Sequence, residues 1–489
     1  MSRRRGGPGP LIVVTLVLAV PAVALFGLYR WSDARVTDNE AAPVPDADVV
    51  VPPPTPTLTT GVASFRRLPT IVAREESIGE FSAEMDAFGA SVNDRSCMAV
   101  SVDGIPVSDE NGALAVIPAS NQKIVVAAVA LEELGPDFRY VTTASAAAMP
   151  ADGVVDGDLF LVGGGDPLLS SDWYPDSNLE RYPVTSPTSL DDLADAVVAS
   201  GVTSITGNVV GDGSRYDDEF FAPGWGAGVA GLEAGPYDAL LVNDARVLGD
   251  EQRAADPNEG AAREFTRLLG ERGVSVGGSA VSGAAPPEVV EIATVSSAPL
   301  SDVVGEMLGN SDNNTSELLV KEIGLSGGAV GSREAGTTVM TTELAGWGID
   351  TTPLVLADGS GLSLDNRLTC EALLGILQRS DPGSPIGAGL PVAGETGTLS
   401  DVFVDHPLSG RLRGKTGTLN NPPFNEDPPA VKALAGYVPV DGGGAIEYVL
   451  VLNGPTISDQ SEYRPVWEAF ADALATYPAG PTPAELGPR

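Results

Sequence analysis

The chain has 489 residues, and 66 acidic residues against 28 basic ones give a formal net charge of -38 at pH 7. This charge argues against nucleic-acid binding, which needs a basic surface to displace counterions from the phosphates. One histidine and two cysteines exclude a zinc module built from several cysteines, and they leave His406 as the single candidate base for a Ser-His-Asp hydrolase.

The N-terminal segment predicts that the rest of the chain is exported. Three arginines precede an apolar run, Leu11–Leu28, that is long enough for one membrane span. A cleaved signal peptide is the alternative, because Ala22–Ala24 has the small-x-small form that a signal peptidase accepts. We expect residues 1–35 to be a membrane anchor or signal peptide, residues 36–60 to be a Pro-rich linker, and the body to be extracytoplasmic.

The body begins with two short strands and a buried helix. Cys97–Val102 and Ile105–Val107 flank an Asp-Gly turn, which predicts a hairpin. Ile124–Leu134 is apolar almost all round, which is typical of a helix buried on all sides, and Gly135 is its expected C-cap. Ser120 therefore lies at the entry to a central helix.

The two cysteines, Cys97 and Cys370, are far apart in the chain. Outside the cytoplasm such a pair could form a disulfide, but two small buried apolar residues would look the same. The sequence leaves both interpretations open.

Residues 146–287 differ in composition from their surroundings and contain no lysine. Short strands separated by Gly and Asp clusters alternate there with helices, which predicts an inserted region with its own small core. The strands are expected at Asp158–Val162 and Ser204–Val210, and the helices at Leu190–Ser200 and Ala261–Gly270.

After residue 299 the pattern changes to helices and then to a final hairpin. Helices are expected at Leu300–Leu308, Ser316–Ile323, Arg333–Gly346 and Tyr463–Tyr477, and strands at Ala430–Val438 and Ala445–Leu452. The two strands are almost continuously apolar, as in a sheet that is covered on both faces.

Of the four lysines, Lys123 alone has a serine three residues before it. Residues i and i+3 share one helix face, so the Lys123 amine can reach the Ser120 hydroxyl. An uncharged lysine could take the hydroxyl proton and make the serine a nucleophile, and burial or a second cation would lower the lysine pKa. Alone this motif is weak, because a serine N-cap at an ordinary helix start has the same form.

A second motif, Ser311-Asp312-Asn313, is expected on a loop between two helices. Ser311 could pass a proton to a leaving amine, and Asn313 could hold a substrate amide. A helix N-cap by the serine or the asparagine is the alternative. Residues 91–93 have the same Ser-x-Asn form but precede the first motif.

A third motif, Lys415-Thr416-Gly417, lies in a predicted strand and could bind a substrate carboxylate. Gly417 would permit close approach of another backbone. The N–H groups of Thr418 and Ser120 could form an oxyanion hole, worth roughly 2.7–4 kcal/mol per donor. A turn at a strand edge is the alternative.

The order of the three motifs, on helix, loop and strand, resembles that of penicillin-binding proteins and serine β-lactamases. The gap of roughly 190 residues between Ser120 and Ser311 is similar to that of one family, the D-alanyl-D-alanine carboxypeptidases/endopeptidases of low-molecular-weight class C, or S13 peptidases. Further stretches resemble the family, and they are Gly157–Pro167, Val295–Leu300, Asp358–Ser363 and Leu390–Gly394.

This resemblance implies an α/β (α+β) fold in which an antiparallel sheet flanked by helices forms a penicillin-binding, β-lactamase-like catalytic domain. We expect that domain over residues 61–145 and 288–477, one or more inserted domains over residues 146–287, and a flexible tail over residues 478–489.

The resemblance also implies roles for the motif residues. Ser120 would be acylated by a D-Ala-D-X carbonyl, and Lys123 would be the base. Ser311 would relay a proton and Asn313 would position the peptide. Lys415 and Thr416 or Thr418 would bind the terminal carboxylate. The expected substrate-binding residues are Thr416, Gly417 and Thr418. No metal or cofactor is expected.

The implied function is that of a serine-type D-Ala-D-Ala carboxypeptidase or DD-endopeptidase acting on peptidoglycan stem peptides, with β-lactams as covalent inhibitors and the membrane as a partner of the N-terminal segment. The alternatives are a serine β-lactamase or D-aminopeptidase-type esterase on the same scaffold, and a non-catalytic wall-binding protein. Intact motifs argue against the last, because binding needs no Ser–Lys pair.

Three features depart from the family or have no role in this scheme. Leu364 stands where family members often have a basic residue, and a Pro-rich insert at residues 420–430 could narrow the cleft. His406, in a turn-like Asp-His-Pro setting, is expected to be a surface or structural residue.

Overall fold

The computed structural model describes residues 68–487, apart from residues 180–181, 227, 329, 421–429, 442 and 455–456. The predicted membrane segment and linker, and most of the insert at 420–430, lie outside the described residues. Within the described part of the chain, no helix has both the length and the apolarity needed to cross a membrane. The described residues form one compact unit.

A five-stranded antiparallel sheet is the centre of the larger part of the molecule. Its strands are β1 (Cys97–Val102), β2 (Ile105–Glu110), β13 (Arg413–Leu419), β14 (Ala430–Pro439) and β15 (Ala445–Gly454). The order is β13-β14-β15-β1-β2, so β13 lies at one edge. Both predicted hairpins are confirmed, and so is the mixed α/β fold class.

Helices cover both faces of this sheet, which explains why its strands are almost continuously apolar. Val431 and Ala433 of β14 pack on one side, in the same core as the central helix. Leu434 and Val438 pack on the other side. The helices of this part are α1 (Leu68–Gly89), α2 (Gln122–Leu134), α5 (Leu300–Asn310), α6 (Asn313–Ser326), α7 (Arg333–Gly346), α8 (Cys370–Leu377), α9 (Pro385–Gly389), α10 (Gln460–Leu474) and α11 (Pro483–Leu486).

Helix α2 is the predicted central helix, and Gly135 is its C-cap with a left-handed φ of 81°. Its residues from Gln122 to Ala127 are all buried, so it has no solvent-facing side over its first turns. Helix α1 is absent from the sequence-based expectations. Its buried positions recur every four residues in a single narrow stripe, which its many charged residues obscure.

A disulfide joins Cys97 of β1 to Cys370, the first residue of α8, across 273 residues of sequence. Both cysteines are fully buried. The structure thus decides between the two interpretations that the sequence left open, and the bond fixes α8 against the central sheet.

The inserted region has its own core, formed by a second five-stranded sheet, a smaller three-stranded parallel sheet and two helices. Its elements are β3 (Val141–Ala146), β4 (Val154–Val155), β5 (Leu159–Val162), β6 (Leu169–Ser170), β7 (Thr188–Ser189), α3 (Leu190–Ala199), β8 (Ser204–Ile205), β9 (Val209–Asp212), α4 (Pro257–Glu271), β10 (Ser275–Val276), β11 (Ala280–Ser282) and β12 (Val290–Ser296).

Two details of this region differ from expectation. The single strand predicted at Ser204–Val210 is two strands, because the chain passes from the smaller sheet to the larger one at Gly207, where a side chain would overlap Asp158. The larger sheet also includes β3 and β12, which extend past the expected limits at residues 146 and 287. The division into domains stays a prediction.

Candidate active site

Ser120 lies on a short 3₁₀ turn, Ala119–Asn121, directly before α2. Ala119 has a left-handed φ of 49°. Gly361 packs so closely on this turn that any side chain there would overlap the carbonyl oxygen of Ala119. The Nζ atom of Lys123 lies 3.0 Å from Ser120 Oγ, as the i, i+3 spacing predicts. The nucleophile is thus held by both the helix and a tight backbone contact.

The Lys123 amine is completely buried. Burial lowers its pKa from 10.5 to about 8, as the sequence predicts. A second cation was expected to lower this pKa as well. The neighbouring charges act in the opposite direction, because Asp312, Asp358 and Glu317 each raise the pKa of Lys123. A pKa of about 8 leaves a useful fraction of uncharged amine near neutral pH.

The second motif lies on a sharp turn between α5 and α6. Ser311 ends α5 with a left-handed φ of 61°, and Asn313 is already the first residue of α6. The capping residue is Asp312, whose side chain accepts the N–H of Thr315, and not the serine or the asparagine. This turn frees the side chains of Ser311 and Asn313 to face the nucleophile.

Asn313 connects the second motif to the first. Its Oδ1 accepts a hydrogen bond from Lys123 Nζ at 2.7 Å, and its Nδ2 donates to the carbonyl oxygen of Glu233 at 2.9 Å. The second bond comes from the inserted region. It fixes which end of the amide faces the lysine.

Lys415, on the edge strand β13, forms a second lysine–serine pair. Its Nζ donates to Ser311 Oγ at 2.8 Å and to the carbonyl oxygen of Thr416 at 2.7 Å. The amine is completely buried, and burial together with the charge of Lys123 holds its pKa well below the usual value. The three motifs are therefore in hydrogen-bond contact, although Ser311 and Lys415 are 104 residues apart.

The remaining residues of the third motif lie on β13, next to the turn that carries Ser120. Thr416 Oγ1 donates to Thr398 Oγ1 at 2.7 Å. A Cβ at position 417 would lie 2.9 Å from the carbonyl oxygen of Pro118, so Gly417 permits β13 to approach the nucleophile turn. The oxyanion hole formed by the N–H groups of Ser120 and Thr418 stays a prediction.

A cavity of about 600 Å³ joins these groups. Its lining includes five of the predicted site residues, namely Ser120, Ser311, Asn313, Thr416 and Thr418. Glu233 and Asp244 of the inserted region line the same cavity. Among the described residues, no group of three or more His, Cys, Asp or Glu side chains is arranged to hold a metal ion.

Sequence reasoning missed four residues that support the site. Thr398 lies in a 3₁₀ turn with no motif around it, so only the fold brings it to Thr416. Asp358 and Ser360 belong to a stretch recognised for its family likeness but given no role. Glu317 had a usable signal, because it is a carboxylate directly before the apolar run Leu318–Val320 in a helix.

The residues expected to be outside the chemistry are indeed held by other contacts. His406 Nε2 lies 3.1 Å from Asp472 Oδ1, and its Nδ1 accepts the N–H of Leu408. The hydroxyl of Ser91 donates to the carbonyl oxygen of Phe88, in the turn after α1. Leu364 packs at the edge of the main core.

Comparisons with known proteins agree with this geometry. A model of the D-Ala-D-Ala carboxypeptidase 3 (S13) family matches residues 93–248 and 240–476. Carboxypeptidase DacB of Mycolicibacterium smegmatis is 30% identical over 477 residues, which cover 91% of this chain and 92% of that protein. A D-alanyl-D-alanine carboxypeptidase of Actinomadura sp. is 29% identical over 437 residues, which cover 72% of this chain and 76% of that protein.

Solved structures of low sequence identity show the same fold. Penicillin-binding protein 4 (dacB) of Haemophilus influenzae superposes with a TM-score of 0.65 at 20% identity, covering 80% of this chain and 98% of that one. The same protein complexed with a novel β-lactam gives a TM-score of 0.61, also at 20% identity and with the same coverage. The predicted penicillin-binding fold is thus confirmed.

Proposed function

This chain belongs to the D-Ala-D-Ala carboxypeptidase 3 (S13) family, and we propose that it hydrolyses the terminal D-Ala-D-Ala bond of peptidoglycan stem peptides through an acyl-enzyme on Ser120. It is a peptidase of the serine type. The observation that supports this most strongly is the pair of lysine–serine contacts at one cavity, 3.0 Å for Lys123 with Ser120 and 2.8 Å for Lys415 with Ser311.

Acylation begins with the uncharged amine of Lys123. As Ser120 Oγ attacks the carbonyl carbon of the penultimate D-Ala, its proton passes to Lys123 Nζ. The carbonyl oxygen becomes an oxyanion, which the N–H groups of Ser120 and Thr418 stabilise in this proposal. The burial that lowers the lysine pKa makes the uncharged form available.

Collapse of the tetrahedral intermediate breaks the bond to the terminal D-Ala. The leaving nitrogen needs a proton, and Ser311 supplies it because its hydroxyl faces the cavity. In exchange Ser311 receives the proton that Lys123 took from Ser120, so Lys123 is uncharged again, and the contact with Lys415 Nζ holds the Ser311 hydroxyl in place. The result is a free D-Ala and an ester on Ser120, which water then hydrolyses with Lys123 again accepting a proton.

The edge position of β13 explains how a peptide can bind. An extended substrate can add to the free edge of the sheet as a further strand. Its terminal carboxylate then meets Lys415 and the hydroxyls of Thr416 and Thr418, with Thr398 supporting Thr416. β-Lactams, which mimic the acyl-D-Ala-D-Ala backbone, acylate the same serine in this proposal.

A labelling experiment tests this function. The purified chain is incubated with a labelled penicillin, and the adduct is located by peptide mass. We expect the label on Ser120, and we expect its loss in Ser120→Ala and Lys123→Ala. Release of D-Ala from a diacyl-D-Ala-D-Ala peptide, with slow turnover of penicillin, supports a peptidase. Rapid penicillin hydrolysis without D-Ala release indicates the β-lactamase alternative, and no adduct at Ser120 contradicts the mechanism.

We also propose that the N-terminal segment places the body outside the cytoplasm. Arginines before the apolar run Leu11–Leu28 support an orientation with the N-terminus inside the cell. Fractionation with an antibody to the body distinguishes a membrane-anchored from a released form. Recovery of the protein in the cytoplasmic fraction would contradict both.

A further inference from the structure

A backbone turn, Asp358–Ser363, brings a carbonyl group to the catalytic lysine. The carbonyl oxygen of Ser360 accepts a hydrogen bond from Lys123 Nζ at 2.7 Å. Ser360 is completely buried. Ser120 lines the cavity, whereas Ser360 does not.

The three contacts of Lys123 match the valences of an uncharged amine. Such an amine has two N–H groups and one lone pair. The Ser360 carbonyl and Asn313 Oδ1 can only accept, so they take the two N–H groups. The lone pair is left facing the third neighbour, the Ser120 hydroxyl. The carbonyl of Ser360 therefore helps to orient the lone pair of Lys123 toward the hydroxyl proton of Ser120.

Glu317 holds that carbonyl in place. Its carboxylate accepts the N–H of Ser360 at 2.7 Å and the N–H of Gly359 at 3.1 Å. Ser316, its neighbour, donates from its hydroxyl to the carbonyl oxygen of Gly359 at 2.6 Å. Glu317 lies one helical turn after Asn313 on α6, so one helix face positions both acceptors of the lysine.

Asp358 supports the same turn from its other side. One carboxylate oxygen accepts the N–H of Gly361 at 2.9 Å, and the other accepts the N–H of Ser363 at 2.6 Å. The indole of Trp225, from the inserted region, donates to Asp358 at 2.9 Å. The turn is thus wrapped around two buried carboxylates.

The charged groups that face Lys123 come from four places. Asp312 caps α6, Glu317 lies on α6, Asp358 lies in the turn, and Lys415 lies on β13. Each carboxylate raises the pKa of Lys123, yet among the described residues none forms an ion pair with its amine. Burial, and then the charge of Asp358, raises the pKa of Glu317 itself to about 7.

We propose that Glu317 is a positioning residue for the acylation reaction, holding the Ser360 carbonyl against Lys123 so that the amine lone pair faces Ser120. Its negative charge also acts on the amine without contacting it. This inference rests on the proposed function, because it concerns the base of the same reaction.

The test is the pH dependence of Ser120 acylation by benzylpenicillin, measured from pH 5.5 to 9.5 by intact mass. Glu317→Gln removes the charge, so the pKa of Lys123 falls and the acid limb moves to lower pH, by about one unit. Its maximal rate falls about tenfold, because the turn is held less firmly. Glu317→Asp retains the charge, so its midpoint stays at the wild-type value while its rate falls.

Glu322 provides the matched control, because it is buried on the same helix but pairs with Arg215 and Tyr216. Glu322→Gln lowers the thermal midpoint and leaves the pH midpoint of acylation unchanged. A wild-type pH midpoint and a wild-type rate in Glu317→Gln overturn the inference alone. Should that variant not fold, a wild-type rate in Glu317→Asp overturns it. Failure of the wild-type chain to become acylated at Ser120 overturns the proposed function instead.

Discussion

Two buried lysines with different kinds of partner meet at helix α6: Lys321 belongs to the helix, and Lys123 contacts its first residue, Asn313. Among the described residues, the amine of Lys123 contacts only uncharged oxygens, those of Ser120, Asn313 and Ser360. Four residues after Glu317, Lys321 is equally buried, but its amine lies 2.7 Å from a carboxylate oxygen of Asp217. Burial alone therefore does not decide what a lysine does.

The two lysines differ in whether a carboxylate contacts the amine. The amine of Lys321 forms an ion pair with Asp217 and also donates to the carbonyl oxygens of Asp217 and Glu219. Within the part of the chain that the structure describes, Lys123 has no contact with a carboxylate, so desolvation acts on its amine with less opposition. The contacts of Lys321 therefore suit a structural role, and those of Lys123 suit proton transfer. The predictions below test this contrast.

The largest effect is expected from Lys123→Ala. Removing the base should lower the rate of acylation by benzylpenicillin by about 10⁴-fold or more, because the Ser120 hydroxyl then has no proton acceptor. Thermal unfolding is measured in parallel, to separate the loss of the base from destabilisation by the cavity that this fully buried side chain leaves. Acylation within tenfold of wild type would assign the base to another group.

Ser311→Ala should have the next largest effect on chemistry. Losing the proton relay to the leaving nitrogen should reduce D-Ala release by about 10²- to 10³-fold. Acylation by benzylpenicillin should suffer less, because the opened ring stays attached and its nitrogen cannot diffuse away. Equal losses for both substrates would argue for a structural role of Ser311.

Lys321→Met should affect stability and leave the chemistry intact. Losing its ion pair with the partly exposed Asp217 and its hydrogen bonds to two carbonyl oxygens should cost about 2 kcal/mol of unfolding free energy, measured by urea denaturation. The pH midpoint of acylation should remain that of the wild type, because the substitution leaves the contacts of Lys123 unchanged. A shifted midpoint would mean that the two lysine environments are coupled.

Thr398→Val should give the smallest effect. It removes one hydrogen bond to Thr416 of about 1 kcal/mol while keeping the side-chain shape. We expect a rise in KM of about fivefold for the peptide, with kcat nearly unchanged. A large loss of kcat with unchanged KM would place Thr398 in the chemical step.

A contact could be predicted from the sequence when its two residues are close together in the chain. The contact of Ser120 with Lys123 is local, so its helical spacing was sufficient. The contact of Ser311 with Lys415 spans 104 residues, and family resemblance was needed to connect them. The support from Thr398 depends wholly on tertiary packing, which no spacing rule reports. Glu317 has a local signal, a carboxylate directly before an apolar helical run, but its contact with the Ser360 N–H also depends on packing.

The elements of the fold were likewise predictable where a local sequence pattern defines them. Helix α2 was evident because it is apolar on every side, and the strands β14 and β15 because both of their faces are covered. Helix α1 was missed because its single buried stripe lies among charged residues. The break at Gly207 was missed because it depends on a close approach to Asp158, the residue before β5.

The most direct test of the account is the titration of Lys123 by NMR. With only four lysines in the chain, ¹³C-labelling of lysine gives few signals, and Lys123→Ala identifies the relevant one. The account predicts a midpoint at about pH 8 for Lys123 in the free enzyme. A midpoint near the ordinary value of 10.5 would contradict the claim that burial without an ion pair prepares this lysine as the base.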